Sequence, residues 1–392
     1  YNNTQSQPLT LPTMTHYDYI FAGGGCAALS LVYYLTQSNL RSKSILVLDP
    51  QGSNFPSKTW CYWAKKPYSI HPLGSLIAWE SLTFKNGKEI MEVRLQDMKY
   101  YHIQASHFFE NLHNLFKKYP NIHFSDEAVS TCEPQGKYMQ VNTTAGKKYF
   151  ADYVFDSRID EQQWNNPELL KQQFIGWKIT TETPVFNPDS VIWMDFQPSA
   201  PNQFSFGYIL PYDTKNALVE YTTYSSENFS FEWLEDQLQA YLEKNLKGIS
   251  YSRFFEEKGK IPMSTQAALN SPDPRWIFLG TRAGWSRPST GFTFQFIQEY
   301  CQELVKELEY SGGTRPKKLP QRHYFYDNIL LTIVKRWPGQ LEKVFTNLFK
   351  TNSPDRILRF LQANTGFMEE LSILSRVRFY PFLKSLWNYE KH

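Results

Sequence analysis

The chain has 392 residues and a net charge of +3, too mildly basic to argue for a nucleic-acid partner. Hydrophobic residues make up 41%, enough for a sizeable core, and the length points to two lobes plus an extension. Four scattered cysteines (Cys26, Cys61, Cys132, Cys301) have no paired metal spacing; this fits a reducing compartment and argues against zinc or a disulfide scaffold.

Residues 1–16 are polar, without a secretory pattern, and read as a loose lead-in. Residues 17–49 follow as an apolar strand, then Gly23-Gly24-Gly25-Cys26-Ala27-Ala28, a helix, and a second strand ending in Asp49. This is the G-x-G-x-x-A spacing of a dinucleotide fold. Gly23 permits the tight turn, Gly25 lets the backbone approach a pyrophosphate, and Ala28 keeps helix and strand close. The helix N-terminus offers N–H groups to phosphate, and Asp49 is placed to accept from a ribose hydroxyl. Strand, glycines, helix, strand and terminal acid in this order make an adenine dinucleotide the expected ligand.

An aromatic stretch, Thr59-Trp60-Cys61-Tyr62-Trp63, comes next. Short apolar runs around Asn86-Gly87 predict a hairpin, and the apolar spacing of residues 101–116 predicts a helix. Residues 149–156 predict a strand returning to the dinucleotide domain. Strands are expected over 174–180, 191–196, 204–210, 216–222 and 254–261, with a helix over 231–244; together they form a mainly antiparallel second sheet. A strand at 276–280, a glycine-bearing loop at 281–292 and a helix from 294 predict that the first domain is completed there. The remainder is helical apart from a linker near 311–320. No apolar run approaches the ~20 residues needed to span a bilayer, so a soluble chain, or one attached to a membrane surface, is expected. The tail, residues 373–392, is basic and aromatic. It suits a surface-lying segment or a helix closing over the second domain.

Taken in order, these motifs resemble the flavin-dependent lycopene cyclases of the bacterial and plant type, over residue 17 to about 386. The resemblance is carried by the glycine turn, Thr59-Trp60, Gln173-Phe174-Ile175-Gly176, Met194-Asp195-Phe196, Tyr208-Ile209-Leu210-Pro211, Leu218-Val219-Glu220-Tyr221-Thr222, Gly259-Lys260-Ile261-Pro262-Met263, and Gly280 through Phe292. Phe325-Tyr326-Asp327 and residues 356–360 resemble that family's helical tail.

The resemblance implies an α/β fold: an FAD-binding, Rossmann-like domain of the flavin hydroxylase kind (17–65, 99–160 and 270–305), a mainly antiparallel substrate domain (66–98 and 170–265) and a helical C-terminal region (306–392). It implies FAD, used in reduced form with NAD(P)H as reductant, held by Gly23, Gly25, Ala28, Asp49, Gly280, Gly284, Thr290 and Gly291. The substrate would be lycopene or another linear carotene, met at the cytoplasmic face of a membrane. The reaction would be acid-initiated closure of ψ end groups to β-ionone rings without net redox change.

Glu220 is the expected acid, since it stands in the apolar segment Ala217-Leu218-Val219-Glu220, where a buried carboxylate is costly unless used or paired. The family usually has two consecutive acids there; this chain has Glu220-Tyr221, which leaves Glu220 as the only acid of that motif. Asp195 is a second candidate carboxylate, with a structural hydrogen-bonding role as its alternative. Trp60, Trp193 and Tyr208 are expected to line the substrate cavity, and Tyr62, Trp177 and Trp285 are further aromatic candidates. The rival readings are an FAD monooxygenase or halogenase, since that fold is shared, and a non-catalytic carotenoid carrier. Leu279-Gly280-Thr281 lacks the Asp that monooxygenases commonly place after this glycine, which favours the cyclase.

Overall fold

The computed structural model of the protein describes residues 15–52, 57–72, 74, 76–159, 166–198, 202–266, 271–310, 319–376 and 379–392. Most of the expected lead-in and of the 311–320 linker lies outside them. The strands, in chain order, are β1 (His16–Ala22), β2 (Ile45–Leu48), β3 (Thr59–Ala64), β4 (Ile77–Trp79), β5 (Ser81–Asn86), β6 (Glu89–Arg94), β7 (Lys99–Gln104), β8 (Ile122–Ser125), β9 (Val129–Gln135), β10 (Tyr138–Thr143), β11 (Lys148–Asp156), β12 (Lys171–Thr181), β13 (Ser190–Phe196), β14 (Phe204–Pro211), β15 (Asn216–Ser225), β16 (Tyr251–Pro262) and β17 (Trp276–Phe278). The helices are α1 (Cys26–Thr36), α2 (Ala105–Phe116), α3 (Phe231–Leu246), α4 (Phe294–Tyr310), α5 (Gln321–Arg336), α6 (Leu341–Thr351), α7 (Pro354–Leu361), α8 (Phe367–Leu374) and α9 (Phe379–Trp387).

The first sheet runs β8-β2-β1-β11-β10-β9, with β17 also on β11. Its strands β8, β2, β1, β11 and β17 are parallel. Ile20, Phe21 and Ala22 are buried on both faces, as parallel strands covered on two sides must be. α1, α2 and α4 pack on one face, and β17 and α4 return to this sheet from late in the chain.

The second sheet runs β16-β12-β15-β14-β13-β5-β6 and is antiparallel apart from the β13–β5 pair. Its strands alternate between two cores. Ile175, Trp177, Ile179, Val219 and Tyr221 pack against α3, while Leu210, Leu218 and Phe206 face the C-terminal helices. A three-stranded sheet, β3-β7-β4, lies between: Tyr62, Tyr101 and Ile103 join the core under the first sheet, and Trp63, Trp79 and Tyr100 join the core under the second.

One expectation is corrected here. The predicted helix over 101–116 begins only at Ala105. Tyr100 to Ile103 are strand β7, because Tyr-Tyr-His-Ile favours an extended chain and its alternate side chains fill two different cores, which one helical face could not do. The Asn86-Gly87 hairpin forms as expected between β5 and β6.

Candidate active site

The glycine turn has the geometry its spacing implies. Gly23 adopts φ +97°, and a Cβ there would stand 2.7 Å from Ser157 Oγ. Gly25 precedes α1, no side chain caps that helix, and its first turn carries no acid. A Cβ on Gly25 would meet nothing within 4 Å, so the helix N-terminus opens onto free space, the arrangement that binds phosphate. Ala28 is fully buried against the sheet. Asp49 accepts from the Gly24 and Gln51 N–H groups at 2.5 and 2.8 Å. It lines, with Gly24, Gly52, Lys117 and Phe124, a cleft of about 230 Å³. The second loop folds against the first: Gly280, Gly284 and Gly291 all take positive φ, and a Cβ on Gly280 would come within 3.0 Å of Ala27 Cβ. The Thr290 hydroxyl is enclosed with no hydrogen-bond partner among the described residues. An uncapped helix end, an open approach at Gly25 and an adjoining cleft suit a dinucleotide.

Glu220 lies elsewhere, at the centre of the second sheet. β12 places Gly176 between Glu220 of β15 and Glu257 of β16. A Cβ on Gly176 would fall 2.6 Å from Glu220 Cγ and 3.3 Å from Glu257 Cγ, so both acidic side chains lean over the one position that has none. Glu257 is buried, whereas Glu220 lies deep in the molecule yet keeps some accessible surface. The same is true of Cys61, Tyr208 and Tyr212. These partly accessible side chains gather on the face of the second sheet opposite α3.

The electrostatics follow from burial. Loss of solvent and then the charge of Glu257 hold the Glu220 carboxyl well above the usual carboxylate range. Burial pushes Glu257 up to about 7, against the pull of Thr59, Lys178 and Lys58. Burial also raises the Tyr208 hydroxyl and pushes the Cys61 thiol up to about 12. Tyr208 bonds Tyr100 at 2.8 Å and donates to Cys61 Sγ at 3.4 Å. Trp193 extends this cluster, stacked on Phe292 at 6.4 Å and edge-on to Trp63 and Tyr100. Glu220, Tyr208 and Trp193 therefore share one region.

Asp195 and Trp60 do not join it. Asp195 is on the opposite face of the second sheet, accepting from Tyr241 of α3 at 2.8 Å, with Gly207 beside it making room for the Tyr241 ring. This is the hydrogen-bonding alternative. Trp60 points into the first core, against Phe108, Phe109 and Phe294; strand alternation sends its neighbours Cys61 and Trp63 to the other core instead. Tyr62 stacks on Tyr101 and Phe294, Trp177 faces α3 beneath Arg253, and Trp285 packs on Tyr300.

Glu257 was missed by the sequence reading. It lies in Phe254-Phe255-Glu256-Glu257-Lys258, where charges are frequent, and only register with β12 distinguishes the inward Glu257 from Glu256, which pairs with Arg253 and Lys258. A third feature ties the glycine loop to the tail. Arg287 and Ser289 both donate to Asp327 of α5, at 2.9 and 2.6 Å, all three buried.

A family profile described as lycopene cyclase protein matches residues 18–386. The chain belongs to the lycopene cyclase family. A comparison with curated protein sequences finds none that matches. Among solved structures, this lycopene cyclase family chain is similar to a geranylgeranyl bacteriochlorophyll reductase-like protein from Thermoplasma acidophilum (15% identity, TM-score 0.59, 96% of this chain and 99% of that one). It is also similar to the flavin-dependent brominase Bmp2 (12%, 0.59, 89% and 94%) and to p-nitrophenol 4-monooxygenase PnpA from Pseudomonas putida (13%, 0.59, 94% and 99%). At such identities the fold is shared, and the chemistry must be argued from the residues.

Proposed function

We propose that the protein closes the ψ end groups of lycopene to β-ionone rings, yielding γ- or β-carotene, with FAD bound on the two glycine loops. The observation that carries this reading is Glu220: a deep carboxyl whose protonated form burial favours, on the same side of the second sheet as Tyr208, Tyr100 and Trp193, in a chain of this family. Glu220 gives its proton to the terminal double bond of the carotene; the π pair forms the new C–H bond and leaves a tertiary cation. The neighbouring double bond attacks that cation and forms the ring, and a ring proton then leaves to create the ring double bond. Protons in and out balance, and no electrons are gained or lost. Aromatic faces near the cation contribute ~1–2 kcal/mol each when desolvated. FAD, held by the two glycine loops and reduced by NAD(P)H, would supply negative charge to stabilise the cation, which counts for more in a dry site than in water.

The hydroxylase and halogenase reading rests on the shared fold alone. Anaerobic incubation with reduced flavin and lycopene separates the two: ring formation without oxygen supports the cyclase, and oxygen uptake with a hydroxylated product overturns it. Glu220→Gln is expected to abolish ring formation while the flavin remains bound.

The substrate partitions into bilayers, so we place the protein on the cytoplasmic membrane surface. Among the described residues no helix is long and apolar enough to cross a membrane. The tail is anchored rather than loose: α9 packs on α5, and the Thr265 N–H and hydroxyl donate to the His392 carbonyl at 2.8 and 2.7 Å. It nevertheless leaves Trp387 92% exposed and Leu386 43% exposed. Replacing both by Ser is expected to reduce liposome flotation; unchanged flotation removes this surface as the contact.

A further inference from the structure

We propose that Glu257 is the positioning partner of Glu220, the two side chains leaning over Gly176 so that the charge of Glu257 keeps Glu220 in its acid form for ring closure. The inference rests on the cyclase reading for its use, but on the fold for its geometry.

Two acidic residues on strands that flank a common neighbour in an antiparallel sheet are usually separated by the side chain of the strand between. Here the strand between is β12, and its residue at that level is Gly176. The virtual Cβ distances of 2.6 Å to Glu220 Cγ and 3.3 Å to Glu257 Cγ show both side chains drawn over the same gap. Any other residue would occupy it. Among the described residues neither carboxyl has an arginine partner, and the groups around them include Cys61 of β3, Tyr208 and Tyr212 near the end of β14, Lys178 of β12, and Thr59 with Lys58 at the start of β3. His102 of β7, bonded to Tyr212 at 3.1 Å, is buried and pushed down to about 3, so it stays neutral. Lys178 donates to Gln104 Oε1 at 2.9 Å and lies nearer in effect to Glu257, whose charge it favours.

The asymmetry assigns the roles. Glu257, with Thr59 and the lysine charges around it, is the member that ionises; Glu220, with only phenols, a thiol and Glu257 around it, is the member that keeps the proton. Like charges this close cannot both ionise at low cost, so the pair titrates as a unit. When the Glu220 O–H breaks, its electron pair stays on the carboxylate, and two negative carboxyls then face the new cation. The ring proton released at the end returns to Glu220, restoring the starting state.

Infrared difference titration of the resting flavoprotein tests the pair without substrate. The wild type is expected to retain a protonated, buried carboxylic acid band at neutral pH, and Glu220→Gln to lose it. In Glu257→Gln the band is expected to disappear at a pH lower by about one unit or more, with the alkaline limb of ring formation moving in parallel; Glu257→Asp restores both. Unmoved titration in Glu257→Gln overturns the proposal. Should that variant not fold, the wild type decides alone: two carboxyls ionising independently near the ordinary glutamate value overturn the pair. A wild type that shows the paired titration but forms no ring from lycopene overturns the cyclase reading and leaves the pair standing.

Discussion

At the scale of single residues, the site depends on a side chain that is missing. Gly176 has ordinary extended backbone, so its glycine is required by space and not by conformation. Gly176→Ala would force Glu220 aside by the width of a methyl group while leaving the ladder hydrogen bonds of β12 in place. A misplacement of that order costs on the order of 100-fold in turnover, and we expect that loss in product formation rates with unchanged flavin content. The carboxyl pair also marks the pH dependence of folding. Both acids stand above their ordinary value of 4.5, Glu257 at about 7. The stability associated with Glu257 is therefore full below 4.5 and is lost as pH rises through about 7, and that associated with Glu220 is lost in the same direction. Thermal melts across that window should show this loss in the wild type, and a flatter profile in Glu257→Gln.

At the scale of elements, strand alternation decides which of the named residues meet. β3 sends Trp60 and Tyr62 to one core and Cys61 and Trp63 to the other, so a run of aromatics legible in sequence is divided between the two cores. β13 turns Asp195 toward α3, where Tyr241 satisfies it. The glycine loop before α4 is held by α5 through Arg287, Ser289 and Asp327. Asp327→Ala would leave the Arg287 guanidinium buried and unpaired, which costs about 3–5 kcal/mol. Chemical denaturation should register that loss, and weaker flavin retention should accompany it because the loop carrying Thr290 and Gly291 loses its tie.

At the scale of the whole molecule, two sheets share the work. The first sheet and its glycine turns suit the cofactor, the second carries Glu220 and Glu257, and β3-β7-β4 joins their cores. The local signals were legible in the residues themselves. Gly23 with its positive φ, the strand ending in Asp49, the Asn86-Gly87 hairpin and the strand over 149–156 each depend on neighbours a few positions away, and sequence spacing records such neighbours directly. The pairing of Glu220 with Glu257 across Gly176, the turning of Asp195 and Trp60 away from Glu220, and the strand at Tyr100 to Ile103 were decided by tertiary structure. Each depends on which face of a strand is buried against which partner. A shift of one residue in register reverses that face, and register between strands 37 to 81 positions apart in the chain is set by packing of the whole sheet, here by Gly176 lying opposite both acids.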